Sequence, residues 1–420
     1  MNIFCYIYTL ILFCTPAIAY GQVTLSSGQV SHRPQDLATT TFYALGDWGT
    51  GYVKQEPVAI ALERNVARVP QNKQTTPFVI GLGDNIYESG LPYHKNSDAL
   101  IYAWNDPEVF NAFENTFGHV YQHVTYQDTP VVFHVVPGNH DYDGNSQKKD
   151  KKYGDVLLLE SKGENLYPGR WKYYPIDHSV TNATDTNDFR EYVHLRSYVD
   201  DHGMYGLTLP QKLDLPNQDL IVAVAIDTQI LLEMYEEDED ELLEKHWARL
   251  GEILAAHQNI PWKIIVGHHP IASWGLHGGA QGGIKGAFRY GVGIMQDLKD
   301  GDYKKFRKRL ASVMKKHDVR LYLSGHDHNL QLIALDQYDP ELLALDSGYF
   351  QLVSGSAGKL SSVDKDHKAI ATYDAQNGFV RLDINKKTCW IEFLSYDANT
   401  GDDISLGIWK IEKGATHETK

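Results

Sequence analysis

The sequence predicts an α/β fold with buried, largely parallel strands, and three observations predict it. First, apolar runs without polar alternation, at 78–82, 131–136, 220–226 and 262–266, read as strands covered on both faces. Second, the runs at 78–82, 131–136 and 262–266 lead into a glycine followed by Asp, Asn or His, and a helical pattern separates the first two strand units, as βαβ construction requires. Third, residues 350–412 alternate apolar and polar side chains, which predicts antiparallel strands completing a second sheet.

Size and charge narrow the function. With 420 residues, 42% of them hydrophobic, the chain can form one large α/β domain or two smaller ones. A net charge of -15 argues against a nucleic-acid partner, which needs a basic face. Phosphorylated substrates stay open, because bound cations can supply positive charge locally. Residues 1–19 carry no charged side chain and end Ala17-Ile18-Ala19, the pattern of a signal peptide with an A-x-A cleavage site. No Lys or Arg follows Met1, so an uncleaved anchor is the rival reading, although the segment is short for a full span. No other stretch is long and apolar enough to cross a membrane. Cys5 and Cys14 lie inside this segment; Cys389 alone would survive cleavage, so no internal disulfide is expected.

Taken in order, residues 20–40 are a polar leader or linker. The run Thr41-Phe42-Tyr43-Ala44-Leu45 is a strand closed by Gly46-Asp47-Trp48-Gly49. Pro57 suits the first turn of the next helix, with Val58, Ala61, Leu62 and Val66 on one side. The strand at 78–82 leads into Gly83-Asp84-Asn85-Ile86-Tyr87, and that at 131–136 into Pro137-Gly138-Asn139-His140-Asp141. From 143 to 215 the periodicity degrades into an irregular excursion. It holds the sequon Asn182-Ala183-Thr184, a surface glycosylation site if the host glycosylates. After the strand at 220–226, the acidic run 236–241 reads as a solvated helix start favoured by the helix dipole. It lacks the spacing of a calcium loop. The helix carries Leu243, Trp247, Leu250 and Leu254 on one stripe. The strand at 262–266 ends at Gly267-His268-His269-Pro270, and a glycine-rich loop, 278–293, follows. A further helix turns Tyr303, Phe306, Leu310 and Val313 inward and a basic face to solvent. The next strand runs into Gly325-His326-Asp327-His328. The later Ser354-Gly355-Ser356-Ala357-Gly358 is a tight turn, neither a nucleophile elbow nor a phosphate loop.

Alone, a Gly-Asp or an Asn-His after a strand is a common turn. His326 and His328 are a stronger sign, because residues two apart in an extended segment point the same way. Together, Asp47, Asp84, Asn139, His268, His326 and His328 all follow buried strands, and groups beyond the carboxyl ends of such strands share one crevice. Carboxylate, amide and imidazole donors form a mixed oxygen and nitrogen set suited to two borderline-to-hard metal ions.

The five blocks Gly46-Asp47, Gly83-Asp84-Asn85-Ile86-Tyr87, Gly138-Asn139-His140-Asp141, Ile265-Val266-Gly267-His268 and Gly325-His326-Asp327-His328 resemble the signature of the calcineurin-like metallophosphoesterases. Within that superfamily the chain resembles a purple acid phosphatase of the compact, tartrate-resistant type. The likeness spans about 41–360 and includes Gly325-His326-Asp327-His328-Asn329-Leu330-Gln331. The short leader before Gly46 agrees with the compact type. The resemblance implies a four-layer sandwich of two mixed β-sheets flanked by helices, as a single catalytic domain over 41–412. It implies that Asp84 bridges two metals, that Asp47, Tyr87 and His328 complete an Fe(III) site, and that Asn139, His268 and His326 complete a divalent site holding Fe, Zn or Mn. His140 and His277 are implied as catalytic histidines that, if protonated, stabilise the phosphoryl group and help protonate the leaving group. The implied activity is phosphate monoester hydrolysis with metal-bound hydroxide as nucleophile, by an exported acid phosphatase. Phosphorylated small molecules or proteins are the expected substrates and a monomer the expected state, secreted or periplasmic. The alternatives are a di-manganese nucleotidase or phosphodiesterase of the same superfamily, and a secreted binding protein with a vestigial site. Because the 143–215 and 270–300 segments are long for the compact type, substrate preference does not carry over.

Overall fold

Strands that lack polar alternation must be covered on both faces, and here two sheets cover one another while helices cover the outside. The computed structural model describes residues 23–25, 30–31, 33, 40–71, 76–88, 90–91, 107–142, 166–175, 208–278 and 298–413. The signal segment, Asn182 and most of the glycine-rich loop lie outside these residues.

Among the described residues the first sheet has eight strands. Its parallel part runs Thr40–Leu45, Phe78–Leu82, Phe133–Val136 and Trp171–Tyr173. The second has seven described strands, with Ile221–Ala225, Trp262–Val266, Leu321–Ser324 and Phe350–Ser354 parallel at its centre. Successive residues of these strands serve different layers. Phe42, Ile80, Ile264, Leu323 and Leu382 pack in one buried cluster contributed by both sheets. Their neighbours Tyr43, Val79, Ile265 and Tyr322 join a second cluster with the helical residues Val58, Leu62, Leu250, Phe306 and Leu310. The result is the expected four-layer sandwich: helix, sheet, sheet, helix.

The helices follow their sequence signals. Asp300 caps Gly301–His317 by accepting from the N–H groups of Asp302 and Tyr303, and Asp227 caps Thr228–Glu236 through the N–H of Ile230. The acidic run spans the end of that helix and the start of Asp240–Ala256, as a solvated helix start would. Pro57 departs from expectation. The helix begins at Tyr52, so the proline sits inside it, where its missing N–H removes one backbone bond.

The tail corrects a second expectation in part: Phe350–Ser354 and Ala371–Tyr373 do join the second sheet, antiparallel to Leu330–Ala334, but the later strands depart. Gly378–Ile384, Thr388–Tyr396 and Asp403–Lys413 do not complete the second sheet; they extend the first, with Gly378–Ile384 antiparallel to Thr40–Leu45. Alternation marks a strand but does not name its partner. The described parts of the 143–215 excursion give each sheet an edge: Trp171–Tyr173 pairs with Phe133–Val136, and Gln211–Lys212 with Ile221–Ala225.

Candidate metal centre

Five loops leave the carboxyl ends of parallel strands, and hydrogen bonds zip them together. In the first sheet, the N–H of Asp47 donates to the carbonyl of Gly83 (3.0 Å), that of Gly49 to Asp84 (3.1 Å), and that of Tyr87 to Gly49 (2.8 Å). Trp48 anchors its loop from below. Its ring lies among Phe117, Tyr121, Phe133 and Trp171 at centroid distances of 5.0–6.0 Å, and its indole N–H donates to Asn85 Oδ1 at 2.8 Å. Across the sheets, the N–H of His326 donates to Asp47 Oδ2 at 2.8 Å, and within the second sheet that of Gly325 donates to the carbonyl of His268 at 3.0 Å.

The backbone is strained where the loops turn. Asp47, Asp84 and His326 each follow a glycine and adopt φ of 57°, 53° and 70°, the left-handed region that side chains seldom visit. Gly83 shares it at φ 89°, and a Cβ there would lie 2.6 Å from His268 Nδ1. A Cβ on Gly138 would lie 2.2 Å from Asp84 Oδ1, so only glycine lets these two loops meet.

The structure brings all seven expected ligand residues together. Tyr87 places its hydroxyl 3.0 Å from Asp47 Oδ1, 2.6 Å from Asp84 Oδ2 and 3.3 Å from His328 Nε2. Asn139 Oδ1 lies 3.0 Å from both His268 Nε2 and His326 Nδ1, which are 3.2 Å apart. Between the two groups stands Asp84, with Oδ2 toward Tyr87 and Oδ1 3.4 Å from His268 Nε2. Ligand atoms of Asp47, Asp84 and His268 all lie within 4.8 Å of one another.

Proton bookkeeping shows that these donors fit metal ions. His268 Nδ1 sits 2.7 Å from the Leu82 carbonyl, so it carries the proton and leaves the Nε2 lone pair facing Asn139. His326 is buried, and burial followed by the nearby His277, His269, His268 and His328 charges holds it well below the ordinary histidine range. It is neutral, so if His268 carries only its Nδ1 proton, at most one proton serves three mutually facing acceptors. A cation among them removes that conflict. In the other group burial alone would raise the Asp84 carboxyl, yet His268, His140 and the Tyr87 hydrogen bond hold it below the usual carboxylate range. Burial raises the Tyr87 phenol, and Asp47 and Asp84 raise it further. For His328 burial pulls downward, but the hydrogen bond and charge of Asp47 raise it overall.

The two expected catalytic histidines flank the ligands. His140 donates its backbone N–H to Asp84 Oδ1 (3.0 Å), its Nδ1 lies 2.5 Å from the Glu88 carbonyl, and its ring is 4.6 Å from that of Tyr87. The His277 ring packs tilted against that of His326, centroids 4.0 Å apart, and its backbone N–H donates to Asp327 Oδ1 at 3.0 Å.

Sequence reasoning left four contributors without a role. Asp141 is fully buried and accepts from the N–H groups of Asn85, Ile86 and Gly138, tying two ligand loops together. Asp327 pins the His277 loop through Ser273 and His277. Lys359 lies over the Tyr87 ring. His269 also has ligand atoms near His268 and His326. Thr228 Oγ1 accepts from the N–H groups of His268 and His269, so its own proton goes to His269 Nδ1 at 2.8 Å. That leaves His269 Nε2 protonated and unable to ligate. Asp141, Asp327 and His269 sit inside or beside the motifs, which was the available signal. A surface cavity of about 750 Å³ lined by Lys172, Tyr174, Lys212, Arg249 and His257 shares no residue with the five loops.

The model of the family "Calcineurin-like phosphoesterase" matches residues 40–330, which includes all five loops. The chain belongs to the calcineurin-like phosphoesterase family. Purple acid phosphatase 4 of Arabidopsis thaliana is 25% identical over 325 residues, covering 76% of this chain and 71% of that protein. Tartrate-resistant acid phosphatase type 5 of Mus musculus is 24% identical over 309 residues, covering 72% of this chain and 71% of that one. A solved structure described as GAP50, the anchor in the inner membrane complex of Plasmodium, covers 90% of both chains with a TM-score of 0.52 at 18% identity. That likeness concerns the fold alone. Family membership and the donor set agree on phosphoester chemistry at a metal centre.

Proposed function

We propose that the protein is a purple acid phosphatase that hydrolyses phosphate monoesters at a dinuclear centre of Fe(III) and a divalent ion. In this reading Asp47, Tyr87 and His328 hold the ferric ion, Asn139, His268 and His326 hold the divalent ion (Fe, Zn or Mn), and Asp84 serves both. The observation that carries it is the division of Asp84, one oxygen toward Tyr87 and the other toward His268. A phenolate is a hard, anionic donor that suits a trivalent ion, whereas an amide oxygen and two imidazole nitrogens suit a divalent one. When bound, such a pair supplies positive charge to the phosphoryl oxygens and acidifies water.

The chain's own residues do the rest. The His140 Nδ1–H donates to the Glu88 carbonyl, which leaves Nε2 as the nitrogen that meets substrate. There, when the ring is protonated, Nε2–H donates to a phosphoryl oxygen and steadies the charge that grows during transfer. His277, held by Asp327 and packed against His326, gives the leaving oxygen its proton when protonated. Asp141 keeps the Asp84 and Asn139 loops in register.

Phosphorylated small molecules or proteins are the substrates in this reading, acted on by a monomer outside the cytoplasm. Export is supported by the apolar 1–19 segment; among the described residues no helix is long and apolar enough to cross a membrane. The single described cysteine, Cys389, is buried and free.

Turnover of an aryl phosphate monoester and the matching diester, by purified protein of known metal content at acidic and neutral pH, tests the proposal. Faster monoester hydrolysis at acidic pH is expected. Preference for the diester would favour the sister phosphodiesterase, and inertness with metals bound would favour a binding protein.

A further inference from the structure

The turn Ser354–Gly358 packs on the first ligand loop: the N–H of Ala357 donates to the Gly46 carbonyl at 3.3 Å, and a Cβ on Gly358 would lie 2.8 Å from the Asp47 carbonyl oxygen. Asn377 Nδ2 holds the end of this turn through the carbonyls of Ser356 (2.8 Å) and Lys359 (3.3 Å). So placed, Lys359 sends its ammonium group to 3.5 Å from the centre of the Tyr87 ring. Its other partner is Glu88 Oε2 at 3.1 Å. The lysine side chain is 22% exposed, whereas that of Glu88 is 74% exposed. The cation is therefore packed onto the ring, and its counter-charge is loosely held in solvent.

Tyr87 thus meets opposite charges at its two parts. Its oxygen faces the carboxylates of Asp47 and Asp84, while its ring face meets a cation. Negative charge on a phenolate spreads into the ring, so a cation on the ring face lowers the energy of the donor electrons. We propose that Lys359 sets how strongly the Tyr87 phenolate donates to its ferric ion, with Glu88 as the counter-charge that moderates it. The inference rests on the ferric reading above and adds to it a residue outside the five ligand loops. Lys359 contacts the Tyr87 ring and Glu88, and its part is to act through Tyr87 as a positioning residue.

The test is the visible band that phenolate-to-iron charge transfer produces. Spectra are recorded for wild-type, Lys359→Met, Lys359→Arg and Glu88→Gln proteins of equal iron content by elemental analysis. In Lys359→Met the donor level rises toward the acceptor, so the band moves to longer wavelength. Lys359→Arg keeps the cation and stays near wild type, a rescue that a merely structural disturbance would not follow. Glu88→Gln unmasks the lysine and moves the band to shorter wavelength. The backbone carbonyl that His140 uses is untouched. If Lys359→Met fails to fold, Glu88→Gln carries the test by itself. A band that is present and unmoved, or moved in the opposite sense, overturns this inference alone. A wild-type protein with iron bound and no visible band overturns the ferric reading, and this inference falls with it.

Discussion

The hydroxyl of Tyr87 lies 2.6 Å from Oδ2 of Asp84, while Oδ1 of the same carboxylate lies 3.4 Å from Nε2 of His268. One side chain thus serves both ligand groups. Asp84→Ala should strip both ions, with metal content falling to background and turnover by more than about a hundredfold. Elemental analysis and an aryl phosphate assay on the same sample check it. A variant that keeps its metals and its activity contradicts the shared role.

Tyr87 is the only phenol among the expected ligands, so colour should depend on it. Tyr87→Phe is expected to be colourless even at wild-type iron content, with its fold intact by circular dichroism. A visible band that survives the substitution would assign the charge transfer to another group.

Asp141 holds the two central loops through Oδ1, which accepts from Asn85 (2.8 Å) and Ile86 (3.0 Å), and Oδ2, which accepts from Gly138 (2.7 Å) and Asn85 Nδ2 (3.1 Å). Asp141→Asn turns one of these oxygens into a donor, leaving two buried donors facing a third. A loss of roughly 2–4 kcal/mol is expected, since each unsatisfied buried group costs about 1–3 kcal/mol. Denaturant unfolding measures it, and an unchanged midpoint would contradict it.

Outside the five loops, Glu233 adds a pH dependence to stability. Burial raises its carboxyl from the ordinary 4.5 to about 7, the Gln229 hydrogen bond opposes this, and the charges of Asp227, Glu236 and Glu237 add to it. The folded state therefore holds the proton more tightly than the unfolded chain. The stabilising contribution is complete below pH 4.5 and is lost as pH rises through about 7. Glu233→Gln, which can still accept from Gln229, should match wild type at low pH. Above pH 7 it should be more stable by about 2 kcal/mol, after discounting for partial solvent access. Parallel stability curves for the two proteins would contradict the shift.

Much of the site was legible because its signals are local. A buried parallel strand leaves an uninterrupted apolar run, and the turn that follows shows its glycine and its ligand within a few positions, as in Gly83-Asp84 and Gly325-His326. What escaped depends on distant pairing. Every residue of Gly378–Ile384 is buried, and nothing in its pattern says that it joins Thr40–Leu45. Glu88 and Lys359 stand 271 positions apart, so only the fold shows that they share a charge. Asp141 and His269 lay inside the motifs, but their roles rest on hydrogen-bond direction, which a sequence does not display.

The most direct test of the ferric, dinuclear account is the visible absorption spectrum of the purified protein, read against its metal content by elemental analysis. The account predicts two metal ions per chain, at least one of them iron, and a charge-transfer band that disappears in Tyr87→Phe. Protein that binds two ions, hydrolyses aryl phosphate and shows no visible band would contradict it.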